Sequence, residues 1–228
     1  MARLAAPVDP RAYTPALGKV WLTPHYDRAI ALLTRERYWR DALVLAAKLA
    51  PGDRVLDVGC GTGSLLKALL SNCPRIELTA LDPDPAVLAV AKRKLGDLQS
   101  VVHWHEGFLG SLSVSDEQRP DKIVNSLVLH QVPLHEKRAI LERMHEILRP
   151  GGEVLIADYM RQDSRLMRML FRATVQQLDG VEDTQPNAEG VIEDHLSELF
   201  DHAERLKVFH TPTGAISLWR GTKKGKMQ

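Results

Sequence analysis

Only two cysteines occur in 228 residues, Cys60 and Cys73. So few, with one in a glycine-rich turn, exclude a disulfide scaffold and predict a reducing compartment. No apolar run approaches the ~18 residues that span a bilayer. The first ten residues lack a signal-type apolar core, because Pro7, Asp9 and Pro10 interrupt them. These absences predict a soluble cytoplasmic protein with no membrane partner. A large charge of either sign is missing too: 30 Lys and Arg against 29 Asp and Glu leave +1, so nothing in the overall charge points to nucleic acid. Local basicity is confined to Arg220–Lys226, read as a solvated tail rather than an RNA-binding arm. The length suits one α/β domain.

What is present centres on Arg54-Val55-Leu56-Asp57-Val58-Gly59-Cys60-Gly61-Thr62-Gly63-Ser64-Leu65-Leu66. Apolar and β-branched residues around one acid predict a buried strand, and alternate glycines predict a tight turn. Leu65, Leu66, Leu69 and Leu70 then fall at helical spacing. A strand turning through glycines into a helix exposes backbone N–H groups to a nucleotide-like ligand. The dinucleotide fingerprint G-x-G-x-x-G is incomplete, since Ser64 stands where its third glycine belongs. Asp57, two residues before Gly59, would repel a pyrophosphate but welcome an ammonium or ribose hydroxyls. A second strand over 76–81 ends in Asp82-Pro83, where a carboxylate can accept from both hydroxyls of a ribose. Arg149-Pro150-Gly151-Gly152 then precedes a buried strand over 153–157.

D-x-G-x-G-x-G together with R-P-G-G resembles the class I S-adenosylmethionine-dependent methyltransferases. Tyr26-Asp27 further resembles the opening of their ubiquinone/menaquinone C-methyltransferase branch. The resemblance implies a Rossmann-like sheet of seven strands, mostly parallel, with an antiparallel closing hairpin, helices on both faces, and N-terminal and inserted helical caps. It implies S-adenosylmethionine as cofactor and S-adenosylhomocysteine as product. The cofactor residues it implies are Tyr26, Asp57, Gly59, Cys60, Gly61, Gly63, Asp82 and Pro83. To these it adds Glu106, Gly107 and Phe108 after the third strand, and Asn125, Ser126 and Leu127 at the end of the fourth.

The expected organisation is an arm and helical cap over 1–50, a cofactor-binding half over 51–160 and an inserted substrate cap over 161–186. A last helix and hairpin follow over 187–222, with a basic tail over 223–228. Within the cap, 165–178 reads as one amphipathic helix with Leu166, Met169, Leu170 and Val175 apolar, followed by an acidic loop over 179–184. The last helix is expected to begin at Asn187 or Glu189.

His130, just after the fourth strand, is the best-placed general base, because a near-neutral pKa suits deprotonation of a phenol, enol or acidic carbon. Asp158 and Tyr159 end the fifth strand and are the other catalytic candidates. His103 and His105 share a strand face, but no cysteine or acid accompanies them at ligand spacing, so no metal is expected. The fourth strand lacks the (Asp/Asn)-Pro-Pro-(Tyr/Phe) segment with which amino methyltransferases grip a planar nitrogen. The resulting expectation is methyl transfer to a carbon or oxygen of a small molecule by a monomer or homodimer. Its rivals are methylation of protein or RNA and a non-catalytic cofactor-binding module.

Overall fold

A computed structural model describes residues 33–225. The expected arm at the N-terminus, including Tyr26, lies outside the described residues. Seven strands form one sheet: β1 (Arg54–Val58), β2 (Glu77–Asp82), β3 (Val102–Glu106), β4 (Lys122–Ser126), β5 (Glu153–Tyr159), β6 (His202–Thr211) and β7 (Gly214–Thr222). Their order is β3-β2-β1-β4-β5-β7-β6. The first five run parallel, and β7 lies antiparallel between β5 and β6. This is the Rossmann-like sheet with its closing hairpin.

Successive residues of a strand face opposite sides, so a strand covered on both faces reads as continuous apolar sequence. Val55 accordingly enters one core with Trp39, Leu43, Leu66 and Leu69. Leu56 and Val58 enter the other with Ile123, Leu141, Met144, Ile192 and Leu196. Helices α1 (Glu36–Ala47) and α2 (Ser64–Asn72) supply the first core, and α4 (Leu134–Ile147) and α8 (Val191–Leu199) the second. Helix α3 (Pro85–Leu95) starts where Asp84 accepts bonds from the N–H groups of Ala86 and Val87, with Pro85 in the first turn.

The order of strands reverses between β1 and β4. Ligands of open α/β sheets gather at such a switch point, beyond the carboxyl ends of the strands. The turn at Arg149-Pro150-Gly151-Gly152 is fastened from below, because Asp121 accepts from the Arg54 N–H at 2.6 Å and pairs with the Arg149 guanidinium at 2.7 Å.

The cap departs from expectation. Residues 165–178 form two helices, α5 (Arg165–Ala173) and α6 (Val175–Asp179), broken at Thr174 with φ −123° and ψ −78°. The Thr174 hydroxyl bonds the Leu170 carbonyl at 2.7 Å, a local bond that competes with helix continuation. The buried face is partly turned from the expected one: Val175 is buried and Leu170 half-buried, but Met167 and Phe171 are inside, whereas Leu166 and Met169 are 56% and 58% exposed. Phe171 sets this rotation, packing 5.4 Å from the Tyr159 ring and against Gly214, where a Cβ would lie 3.1 Å from that of Phe171.

The expected acidic loop is instead helical, since 181–184 opens α7 (Val181–Glu189). Acids in a first turn complement the positive end of the helix dipole. The last helix begins later than expected, at Val191, because Gly190 with φ 103° ends α7 first.

Candidate active site

Gly59 has φ 73°, and a Cβ there would fall 2.5 Å from Val128, so only glycine lets the β1 turn approach the loop after β4 this closely. Gly61 has φ 53° and faces open space where a Cβ would project. Its N–H donates to Asp82 Oδ2 at 3.0 Å, while Asp84 N–H donates to Oδ1 at 3.0 Å. Asp82 thus braces the glycine turn from the end of β2 and retains lone pairs for further donors. Burial raises its pKa, against the two backbone bonds.

Asp57 is fully buried in β1, and neither carboxylate oxygen has a hydrogen-bond partner among the described residues. Burial, then the charge of Asp82, lifts its pKa from 3.8 to about 8, with Arg40 opposing. Arg40 arrives from α1, is ion-paired to Glu36, and leaves its buried Nε without a partner. Burial lowers that guanidinium to about 10. A buried acid without a partner, under the charge of a guanidinium whose Nε is also unpartnered, is a costly arrangement for a closed core. It is well matched to a zwitterionic amino-acid group.

Asn125 donates from Nδ2 to the Val58 carbonyl at 2.7 Å and so clamps β1 to β4 across the switch point. Its Oδ1 is buried and unpartnered. Leu127 follows Ser126 with φ 52°, a left-handed conformation that costs a branched residue of order 1 kcal/mol and marks a constrained loop. Gly107 N–H donates to the Asp82 carbonyl at 3.1 Å, bringing the end of β3 alongside. Glu106 and Phe108 flank it, both exposed. Cys60 is buried in the turn, and burial pushes its thiol up, so it is no thiolate nucleophile. Gly63 caps α2, and Pro83 separates Asp82 from the α3 cap.

A second polar cluster closes the ends of β4 and β5. His130 Nδ1 lies 2.7 Å from Asp158 Oδ1, and its Nε2 lies 3.5 Å from Asp179 Oδ2 at the end of α6. Asp158 also accepts the N–H groups of Val128, Leu129 and Tyr159 at 3.0, 2.7 and 2.7 Å. Lys137 is fully buried on α4 and donates to the Leu129 carbonyl at 2.5 Å. Tyr159 packs edge-on to His130 at 5.2 Å, and its hydroxyl bonds that of Thr213 at 2.6 Å.

Burial alone would lower the His130 pKa, but the charge and hydrogen bond of Asp158, with those of Asp179, outweigh it and carry the value from 6.5 to about 9. At neutral pH this is an imidazolium, the wrong form for the general base expected at this position. The correction has a stability signature. The unfolded chain releases this proton near pH 6.5 and the folded chain near 9, so the stabilisation is complete below 6.5 and lost as pH rises through 9. Between pH 6.5 and pH 8, a window in which Lys137 titrates in both proteins, wild type should lose about 2 kcal/mol that His130→Gln does not lose. Urea unfolding at the two pH values measures the difference.

Sequence reasoning missed Arg40 and Lys137, and reads Asp179 only as the first residue of an acidic loop free to stay in solvent or close over a substrate. Lys137 left a signal, lying in register with Leu141 and Met144 on the buried face of α4. His103 and His105 line a groove of about 320 Å³ with Arg54, Glu77 and Thr79, and the His105 ring also lies against Gly107. Among the described residues no group of three or more His, Cys, Asp or Glu is placed to hold a metal ion. None of their helices is long and apolar enough to cross a membrane.

The fold is a Rossmann-like sheet with an acid-flanked glycine turn at its switch point, and a methyltransferase-domain family model matches residues 56–154. The chain is 33% identical over 148 residues to a trans-aconitate 2-methyltransferase of Methylobacterium nodulans, covering 63% of this chain and 54% of that protein. It is 26% identical over 153 residues to a ubiquinone/menaquinone biosynthesis C-methyltransferase of Syntrophotalea carbinolica, covering 66% and 63%. Among solved structures, an O-methyltransferase family protein from Burkholderia thailandensis superposes with TM-score 0.67 at 16% identity, covering 89% of this chain and 59% of that one. The plantazolicin methyltransferase BpumL, solved with S-adenosylhomocysteine, gives 0.63 at 15% identity and covers 92% of each chain. The chain spans between about half and two thirds of the length of these curated relatives. The chain is thus similar to methyltransferases in sequence over residues 56–154 and in fold over most of its length.

Proposed function

We propose that this protein transfers a methyl group from S-adenosylmethionine to a carbon or oxygen atom of a small molecule. The observation that carries the reading is the pair of buried acids, Asp57 and Asp82, flanking a bare glycine turn at the switch point. When bound, the cofactor supplies a sulfonium-activated methyl for in-line displacement. The chain then has to align the acceptor and exclude water. Asp82 would accept the ribose hydroxyls, Asp57 the ammonium, and Arg40 would receive the carboxylate. Glu106, Gly107 and Phe108 border the adenine end, and Asn125, Ser126 and Leu127 the reacting end. His130, Asp158 and Tyr159 close the acceptor side beneath α6 and α7. The relatives named for trans-aconitate and for quinone biosynthesis support a small-molecule acceptor.

Asp57 makes cofactor binding proton-linked. An ammonium drawn against it favours the carboxylate and expels the proton it holds below about pH 8. Affinity should therefore rise with pH up to about 8, with net proton release at pH 7. Calorimetry in buffers of different ionisation heat reads that release, and Asp57→Asn should abolish it.

Turnover is tested by incubating the protein and S-adenosylmethionine with phenols, quinols and small carboxylic acids while following S-adenosylhomocysteine and methylated product by mass spectrometry. Equal amounts of the two, dependent on one acceptor, support the proposal. Cofactor binding without turnover of any of them, and methylation of added RNA or protein instead, would replace it.

A further inference from the structure

The cluster around His130 is asymmetric. Asp158 is completely buried and committed, its two oxygens shared among the imidazole Nδ1 and three backbone N–H groups. Asp179 is different in each respect. Its side chain is 24% exposed, its contact with Nε2 is long at 3.5 Å, and it stands on the last residue of a five-residue helix. The next residue is Gly180, with φ 86° and open space where a Cβ would project. One side of the imidazolium is thus held by the sheet and the other by a displaceable carboxylate from the cap.

The surrounding charges require something at that second side. His130 is faced by Asp158 from β5, Asp179 from α6 and the Tyr159 ring. Lys137 from α4 is the second buried cation, bonded to the Leu129 and His130 carbonyls and influenced by Asp158 and by Asp183 of α7. Withdrawing Asp179 alone would leave a buried cation half-paired, which is strongly unfavourable. A neutral acceptor entering there would carry that penalty, whereas an anionic one would remove it.

We infer that Asp179 occupies the seat of an acceptor oxyanion, so that the acceptor is a small acid whose phenolate, enolate or carboxylate oxygen displaces Asp179 and pairs with His130 Nε2. The inference rests on the methyltransferase reading and narrows its substrate class. It also removes the need for a general base, because the acceptor binds already deprotonated and its negative charge is directed to the reacting end of the site. His130 is then the acceptor's anchor, and Asp179 a competitor built into the cap.

The test follows His130 by NMR of protein labelled with 15N-histidine, in the presence of S-adenosylhomocysteine, with benzoate as anionic probe and benzamide as its neutral isostere. Asp179→Asn should lower the pH at which His130 titrates, and benzoate should restore it while benzamide does not. Benzoate should bind the variant about tenfold more tightly than wild type, and His130→Gln should erase the preference for benzoate over benzamide. Glu182→Gln, an exposed acid on the same cap, should change none of these. An unmoved His130 titration in Asp179→Asn, or benzoate binding no tighter to that variant than to wild type, would overturn the inference. S-adenosylhomocysteine binding is recorded on the same samples. Its absence would sink the methyltransferase reading, whereas binding of it without any benzoate response would sink only the assignment of Asp179 and His130.

Discussion

Replacing Asp158 with alanine is expected to destabilise the fold by about 3–5 kcal/mol, the range for removing one partner of a buried ion pair. The carboxylate serves four donors at once, the His130 imidazole and the N–H groups of Val128, Leu129 and Tyr159. Alanine strands a buried imidazolium and buried amides together. His130 is then expected to lose its proton at a lower pH than in wild type, since burial would be opposed by Asp179 without Asp158. Asp158→Asn should be milder, because the amide oxygen still accepts while the charge is lost. Urea denaturation at pH 6 measures all three proteins. A loss below about 1 kcal/mol in the alanine variant would show that the cluster is not the structural keystone of the acceptor side.

Asp82→Ala should weaken S-adenosylhomocysteine binding about 100-fold, or about 3 kcal/mol, the sum expected for two charge-assisted bonds to ribose hydroxyls. The residue also braces the turn through Gly61 and Asp84, so stability has to be read beside affinity. Asp84→Ala supplies the control. It removes the α3 cap, costing about 1 kcal/mol, and should leave affinity within about twofold because Asp84 side-chain oxygens bond only the α3 backbone. Equal affinity losses in both variants would mean that Asp82 acts through the turn and not through the ligand.

The part of the molecule legible in sequence is the part where local chemistry and tertiary role coincide. Gly59, Gly61 and Gly63 all take positive φ, so the spacing that suggested a ligand turn is the spacing that the backbone uses. Asp57 was legible as an acid near a ligand. That both its oxygens are without partners depends on what the sheet and α1 place around it, which no local pattern encodes. The cap was least legible. A continuous apolar periodicity over 165–178 hid the break at Thr174, because that break is held by a side chain bonding its own helix and the Thr213 carbonyl in the β6–β7 turn. The rotation that exposes Met169 follows from Phe171 meeting Gly214, which lies more than forty residues further along the chain.

His130 shows the same limit in chemical form. Its position after β4 was sufficient to nominate it, and a free imidazole there would suit a base. Two carboxylates arriving from β5 and α6 change the protonation state and with it the role. Lys137, buried on the face of α4 that carries Leu141 and Met144, completes a cluster in which each charge needs its neighbours.

The measurement that tests the central claim most directly is calorimetric titration of the intact protein with S-adenosylhomocysteine at pH 7, set against NAD. The account predicts one site of micromolar affinity for the adenosyl compound, protons released to the buffer, and no heat from NAD. Binding of NAD alone would contradict the assignment of the acid-flanked glycine turn.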